Sequence, residues 1–246
     1  MSALPSVPFV SIDSARVAVD APVSTDLMTD IAIDLNYLKN GVDLAGGKSI
    51  AIITTPGAGT WTVPAGITTA VVEMVGGGGG GAWTVSNPLF GGGSGAYQVY
   101  WLTGLIPGAL MNLNVGAGGP GGTAGSTPGA SGTRTWFGTT GTYADLGTGG
   151  NIAAAPGAGG VSVRGATYMG IDGEGSPVSG ATQSTGGRPP WLRTTTKALT
   201  GQLTPAGSAG PAGLPYGGGG SGGDNTLGGG GANGGAGANG IIVIHY

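Results

Sequence analysis

Nucleophiles, general bases and metal ligands are scarce in this chain, and the few arrangements that resemble a reactive site can be weighed one at a time. There is no Cys and a single His, His245, which excludes thiol nucleophiles, Cys-based zinc sites and multi-His metal sites within one chain. Gly219-Gly220-Ser221-Gly222-Gly223 fits the Gly-x-Ser-x-Gly pattern of a nucleophile elbow. That pattern has meaning only at a strand-to-helix turn, and more glycine flanks it here, so it reads as a chance match. Gly41 and Gly47-Lys48-Ser49 approach a phosphate-binding loop, but the spacing is one residue too long and no parallel α/β pattern follows. Asp172 and Glu174, within Asp-Gly-Glu-Gly, offer a carboxylate pair or a metal-binding turn. Without a twelve-residue calcium loop around them, a solvated turn is the simpler reading. The expectation is a protein that binds rather than catalyses, with no cofactor and no metal.

Composition points the same way. Of 246 residues 59 are Gly and 16 are Pro, while charged residues make up 8%, against about 25% in an ordinary soluble domain. Disorder through weak hydrophobicity normally comes with high net charge. Here the net charge is −3, and the chain has five Trp and seven Tyr; its mean hydropathy is +0.20. An ordered, nearly neutral structure built on glycine is therefore predicted. Arg134, Arg164, Arg188 and Arg193 are scattered singly, so the basic footprint of nucleic-acid or anionic-membrane binding is missing. Pro5 and Pro8 interrupt the only candidate signal segment, which also lacks a positive start. No run of 18 apolar residues reads as a membrane span. Synthesis in the cytoplasm without a signal peptide is expected, and any work outside the cell needs another route.

The elements that must position any site fall into two regions. Residues 1–48 hold six of the eleven acids and only three Gly, and the composition changes near Gly46-Gly47. In this first region Ser24 or Thr25 can cap a helix over about 25–40, with Asp26 in its first turn and Gly41 at its end. Met28, Ile31, Leu35 and Leu38 step by three, four and three residues, which places them on one stripe suited to oligomerisation or attachment. Packing within its own domain is the plainer use of such a short stripe, because a coiled coil needs about three heptads or more.

Residues 49–246 form the second region, where strand signals alternate with glycine runs. Ser49–Thr55, Ile67–Val75, Tyr97–Trp101, Met111–Val115 and Ile241–Tyr246 are β-branched or alternating. The runs between them are spaced in an informative way. Gly116, Gly119, Gly122 and Gly125 are three apart, as are Gly207, Gly210 and Gly213, and Gly231, Gly234, Gly237 and Gly240. A polyproline-II-type helix has three residues per turn, so glycine at every third position leaves one bare edge for a neighbouring backbone. Gly76–Gly81 is bare on all edges. The predicted fold is mainly β, with short strands forming a sandwich-like frame around packed polyglycine II helices, all-glycine members inside and Gly-x-x members outside. Collagen is excluded because the triplets slip at Gly129 and Gly217.

Several of these segments, taken in order, resemble a known family. Trp61-Thr62-Val63-Pro64-Ala65-Gly66-Ile67, then Val71–Val75 with its poly-Gly run, Leu102–Gly108, Asn114–Gly119 and the closing Gly240–Ile244 are similar to the glycine-rich domain of bacteriophage tail-fibre and other virion proteins. The resemblance covers about residues 55–246. It implies a structure like the tail-fibre tip adhesins of T-even-like phages, in which stacked polyglycine II helices carry exposed loops that touch a bacterial surface receptor. Asp20–Met28 and Asn36-Tyr37-Leu38 resemble a segment near the start of phage structural proteins. The N-terminal helical region departs from the adhesin pattern. A virion location, other tail or fibre proteins as partners and a homo-oligomer, as in trimeric fibres, are what the resemblance implies; a capsid or tail decoration protein without a receptor role is the alternative, and a glycan depolymerase is disfavoured by the lack of a credible acid pair.

If the glycine bundle is scaffold, recognition falls to the segments that interrupt it. Trp83 to Phe90 and Arg164 to Leu203 stand out, the latter with Tyr168, Met169, Arg188, Trp191, Arg193 and Lys197. Trp, Tyr and Arg dominate interface hot spots, and loops on rigid scaffolds commonly carry function. Trp83, Phe90, Tyr168, Arg188, Trp191 and Arg193 are the receptor-contact candidates; packing at the edges of the frame is the competing role for the same side chains.

Overall fold

Alternating β-branched residues become strands where one face can be buried. A computed structural model describes residues 49–83, 90–123, 127–138, 142–152, 156–162, 168–176, 185–190, 209–223 and 232–246. Nine strands run through it: β1 (Ile50–Ile53), β2 (Gly57–Thr62), β3 (Thr69–Val75), β4 (Tyr97–Thr103), β5 (Leu110–Val115), β6 (Thr135–Phe137), β7 (Tyr143–Ala144), β8 (Tyr168–Ile171) and β9 (Ile241–His245). They form two antiparallel sheets, ordered β1-β9-β3-β4-β8 and β2-β5-β6-β7. The described residues contain no α-helix, and the helix expected over 25–40, with Met28, Ile31, Leu35 and Leu38, lies outside them.

The sheets share one apolar core. Val72 and Met74 from β3, Tyr100 from β4, and Ile242 and Ile244 from β9 pack in one cluster with Trp61, Leu113, Val115 and Phe137 of the second sheet. Full burial of each aliphatic side chain contributes about 1.5–3 kcal/mol. Trp61 stacks obliquely on both Phe137 and Tyr246, with ring centroids 5.9 and 5.4 Å away. Two tight turns lock the end of the sheets where β4 passes to β5. Ile67 N–H bonds to Pro64 O and Ala109 N–H to Ile106 O, while Gly66 and Gly108 take φ of 84° and 82° at the third turn position, where other residues are strained.

At the other end the strands run on into segments with no strand assignment. Residues 76–83 extend β3, residues 90–96 lead into β4, and residues 116–122 and 232–240 flank β5 and β9. Their hydrogen bonds repeat every three residues. Gly76, Gly79 and Ala82 donate to Ala96, Gly93 and Phe90, so each step of three forward meets a step of three back. Gly77, Gly80 and Trp83 donate in the same way to Thr133, Ala130 and Thr127, and Gly78 and Gly81 to Ala238 and Gly235. The carbonyls of 77–82 in turn accept from Gly119 and Gly122, from Gly147 and Gly150, and from Gly220 and Gly223. Six separate segments thus surround 76–83. Residues 90–96 are bonded to six segments as well, 76–83 among them.

Burial follows this arrangement. Every residue of 76–83, 90–96 and 217–223 is buried, whereas in 116–122 the buried positions are Gly116, Gly119 and Gly122. In 232–240 two edges are used at once: Gly234, Gly237 and Gly240 donate to the 116–122 segment, and Gly235 and Ala238 donate to 217–223. A methyl group at Gly80 would collide with the Pro120 carbonyl, and one at Gly78 with the Gly218 carbonyl. Strands β2, β6, β7 and β8 add to those expected from the sequence. Gly57–Thr62 has no alternating pattern to announce it and is a strand because it pairs along its whole length with β5. Residues Ile50–Tyr246 make one compact unit.

Overpacking a dry interior costs about 1–3 kcal/mol and occasionally more. Gly80→Ala is therefore expected to lower the melting temperature by about 2–12 °C, at roughly 2–4 °C per kcal/mol for a domain of this size. Ala236→Ser, at an outward position, should leave it unchanged; scanning calorimetry of the two variants checks both outcomes.

Candidate functional site

The glycine segments give the molecule two different ends. At the sheet end, Thr135 Oγ1 donates to Val75 O at 2.6 Å and accepts from Gly116 N–H at 2.9 Å, and Gly240 N–H bonds to Gly116 O. At the other end Trp83 N–H bonds to Thr127 O, Ala82 to Phe90, Gly129 to Gly150, and Ser176 to Gly157, while Trp83 bridges Gly223. The residues that flank 84–89, 124–126, 153–155, 177–184 and 224–231 therefore meet at one end, remote from the sheets. Strand β1 starts on the opposite side: Ile50 pairs with His245, the end of β9 away from the glycine segments. The flanks of these five connections and the start of β1 are at opposite ends of this unit.

Of the six contact candidates, Trp83 and Phe90 lie at this end. Trp83 and Phe90 are each 5% exposed, so both side chains close the bundle from inside and neither is offered to a ligand. The physical reason is that the bundle needs an apolar cap where its glycine stops. Tyr168 enters β8 opposite Tyr100. Trp191 and Arg193 lie outside the described residues. Arg188 is held by Glu174 through Nε–Oε2 at 2.8 Å and Nη2–Oε1 at 3.0 Å, which ties 185–190 to 172–176. The bond to Glu174 raises the Arg188 pKa further above its usual value and keeps it charged.

Two of the arrangements that suggested chemistry are absorbed into the scaffold, whereas Gly41 and Gly47-Lys48 lie outside the described residues. Ser221 is 2% exposed inside the bundle, and its N–H bonds to Pro211 O. Asp172 accepts from the Ser162 amide and hydroxyl, both at 2.7 Å, and Glu174 N–H bonds to Ser94 Oγ at 2.7 Å. Arg134 bonds to Asp145 at 2.8 Å and lies over the Tyr143 ring. Sequence reasoning missed one further network, on the face of the five-stranded sheet turned away from the core. Glu73 accepts from Tyr97 Oη at 2.5 Å and meets His245 Nε2 at 2.8 Å. Its one signal was an acid set among the valines of β3; its partners depend on strand order. Burial, then the bond to Glu73 and its charge, push the Tyr97 hydroxyl well above the usual phenol range.

Because the folded state holds the Tyr97 proton more tightly than the unfolded chain does, this contribution is complete below the ordinary value of 10.0 and is lost as pH rises above it. Tyr97→Phe should therefore cost about 1–2 kcal/mol at neutral pH, and the gap between variant and parent should narrow above about pH 10. Thermal melts across that range measure it.

Among curated proteins none matches the chain. A family model, described as a glycine-rich domain, matches residues 54–246. Because that match covers well over half of the chain, strands β2 to β9 included, the chain belongs to the glycine-rich domain family.

Proposed function

We propose that this chain is a bacteriophage virion structural protein, a tail-fibre or tail-tip component that presents loops to a receptor on the bacterial surface. The observation that carries the reading is the two-ended build of the unit, with the flanks of five connections gathered at one end and β1 starting at the other. The resemblance of the segment order to phage glycine-rich domains supports it. The glycine segments are polyglycine II helices, a reading supported by hydrogen bonds that repeat every three residues and run only between segments. Such a bundle is a stiff platform, and loops on stiff platforms bind without a large ordering cost.

On this reading residues 1–48 attach the protein to other virion proteins. Met28, Ile31, Leu35 and Leu38 serve as the attachment or oligomerisation stripe, in a homo-oligomer such as a trimeric fibre. The mechanism is binding, with no bond made or broken. Receptor contact falls to the loop residues themselves and to Trp191 and Arg193, since Trp83, Phe90 and Arg188 face inward or are paired. That inward packing favours one second reading, a decoration protein with no receptor role.

Labelled full-length protein is expected to bind cells of a susceptible strain within a bacterial panel. Replacing 84–89, 177–184 and 224–231 with Gly-Ser linkers should remove at least about nine-tenths of that binding, a loss of about 1.4 kcal/mol or more, while the melting temperature holds. A second variant replaces 191–203 alone, so that β8 and the Glu174–Arg188 pair survive. Undiminished binding in both variants, or no binding by the folded parent to any strain, counts against the adhesin and favours decoration.

A further inference from the structure

We infer that Asn239 is a stopper, which keeps the groove between residues 116–122 and 232–240 from taking a glycine segment of a second copy of this chain. The walls of that groove are built as if for one more segment. Inside the bundle three neighbouring segments meet in a fixed way: the Thr148 carbonyl packs against Gly79 and accepts from Gly93 N–H of the third segment. The first two parts of that arrangement recur at the surface. The carbonyls of Gly237 and Gly234 pack against Gly118 and Gly121, where any Cβ would collide with them. Within the described residues these two carbonyls accept no hydrogen bond. They stand three residues apart, as do the amides of Gly118 and Gly121 on the facing wall. A row of donors and acceptors with no side chain over it is a template for further backbone, as an open sheet edge is.

Asn239 closes that row. Its Oδ1 accepts from Gly118 N–H at 2.9 Å, which leaves the Gly121 amide alone, and a single donor does not hold a chain that offers partners only at every third residue. Other outward amides of the bundle are closed in equivalent ways. Ala117 N–H donates to Thr133 Oγ1 at 2.8 Å, Gly149 N–H to Ser131 Oγ at 3.3 Å and Ala158 N–H to Thr148 Oγ1 at 2.6 Å. Three residues beyond Ala117 stands Pro120, which has no amide to offer. Asn239, Thr133, Ser131 and Thr148 are all exposed, and each is next to a glycine. The polar residues that interrupt the glycine at the surface thus take up amides of the neighbouring segments, and copies brought close together stay separate. This role is independent of any receptor contact and of the stripe in residues 1–48.

Sedimentation velocity on the full chain over a hundredfold range of concentration tests this. Masses are compared with the parent's at each concentration, so any oligomer made by residues 1–48 cancels. In Asn239→Ala the amides of Gly118 and Gly121 are both open, and the average mass should rise with concentration towards about twice that of the parent. Thr133→Ala also frees one exposed amide, but Pro120 ends that row, so its mass should stay with the parent. Each of these variants loses one exposed hydrogen bond, and their equal melting temperatures would separate edge closure from a general loss of stability. Ala236 faces Gly121 in the register that sets Asn239 against Gly118. Combining Asn239→Ala with Ala236→Asn moves the stopper by three residues and should restore the parent mass. An Asn239→Ala mass equal to the parent's at every concentration, the same rise in Thr133→Ala, or a rise that survives Ala236→Asn overturns the proposal.

Discussion

Backbone meeting backbone with no side chain between is the contact on which the whole structure depends. In residues 76–83 the amides and carbonyls point sideways into six other segments. An α-helix satisfies its peptide groups within itself, and a strand needs two neighbours; here nothing local satisfies any of them. Each segment is hydrogen-bonded only when its neighbours are in place, so removing one leaves unpaired buried groups in several others, at about 1–3 kcal/mol each. Glycine is required at 76–81 because a Cβ there would fall on a carbonyl of the next segment.

That arrangement is costly to order, since glycine loses more backbone freedom on folding than any other residue. The two sheets offset part of the cost. Their shared core, from Val72 and Met74 to Phe137 and Ile244, stabilises by burial and delivers several chain segments side by side in alternating directions. Thr135 marks the junction: its hydroxyl takes the Val75 carbonyl on one side and the Gly116 amide on the other, where the two-residue strand repeat gives way to the three-residue repeat.

The scarcity of charge follows from the same geometry. A densely packed backbone lattice has no room for long polar side chains inside, so the few ionic groups serve at its margins. Glu174 and Arg188 join two segments, Arg134 and Asp145 another pair, and Glu73 spans β3, β4 and β9 through Tyr97 and His245. Groups so engaged stiffen the frame.

Much of the plan is legible in the residues alone, because it is set by local constraints. Three-residue glycine spacing requires a bare edge, an all-glycine run requires bareness on every side, and alternating β-branched runs require a half-buried sheet; Gly76–Gly81, Gly116–Gly122 and the strands β3, β5 and β9 were all readable on those grounds. Long-range pairing decided the rest. Gly57–Thr62 is a strand only because β5 lies beside it, and β6 and β7 are too short to carry a pattern. Trp83 and Phe90, receptor-contact candidates by residue type, turn inward because the bundle ends there. Glu73 finds His245 across 172 residues of chain. The amino-acid types determined which segments could lie backbone to backbone, whereas only the folded chain decided which ones do, since each hydrogen bond that chooses a neighbour forms between residues that no local pattern connects.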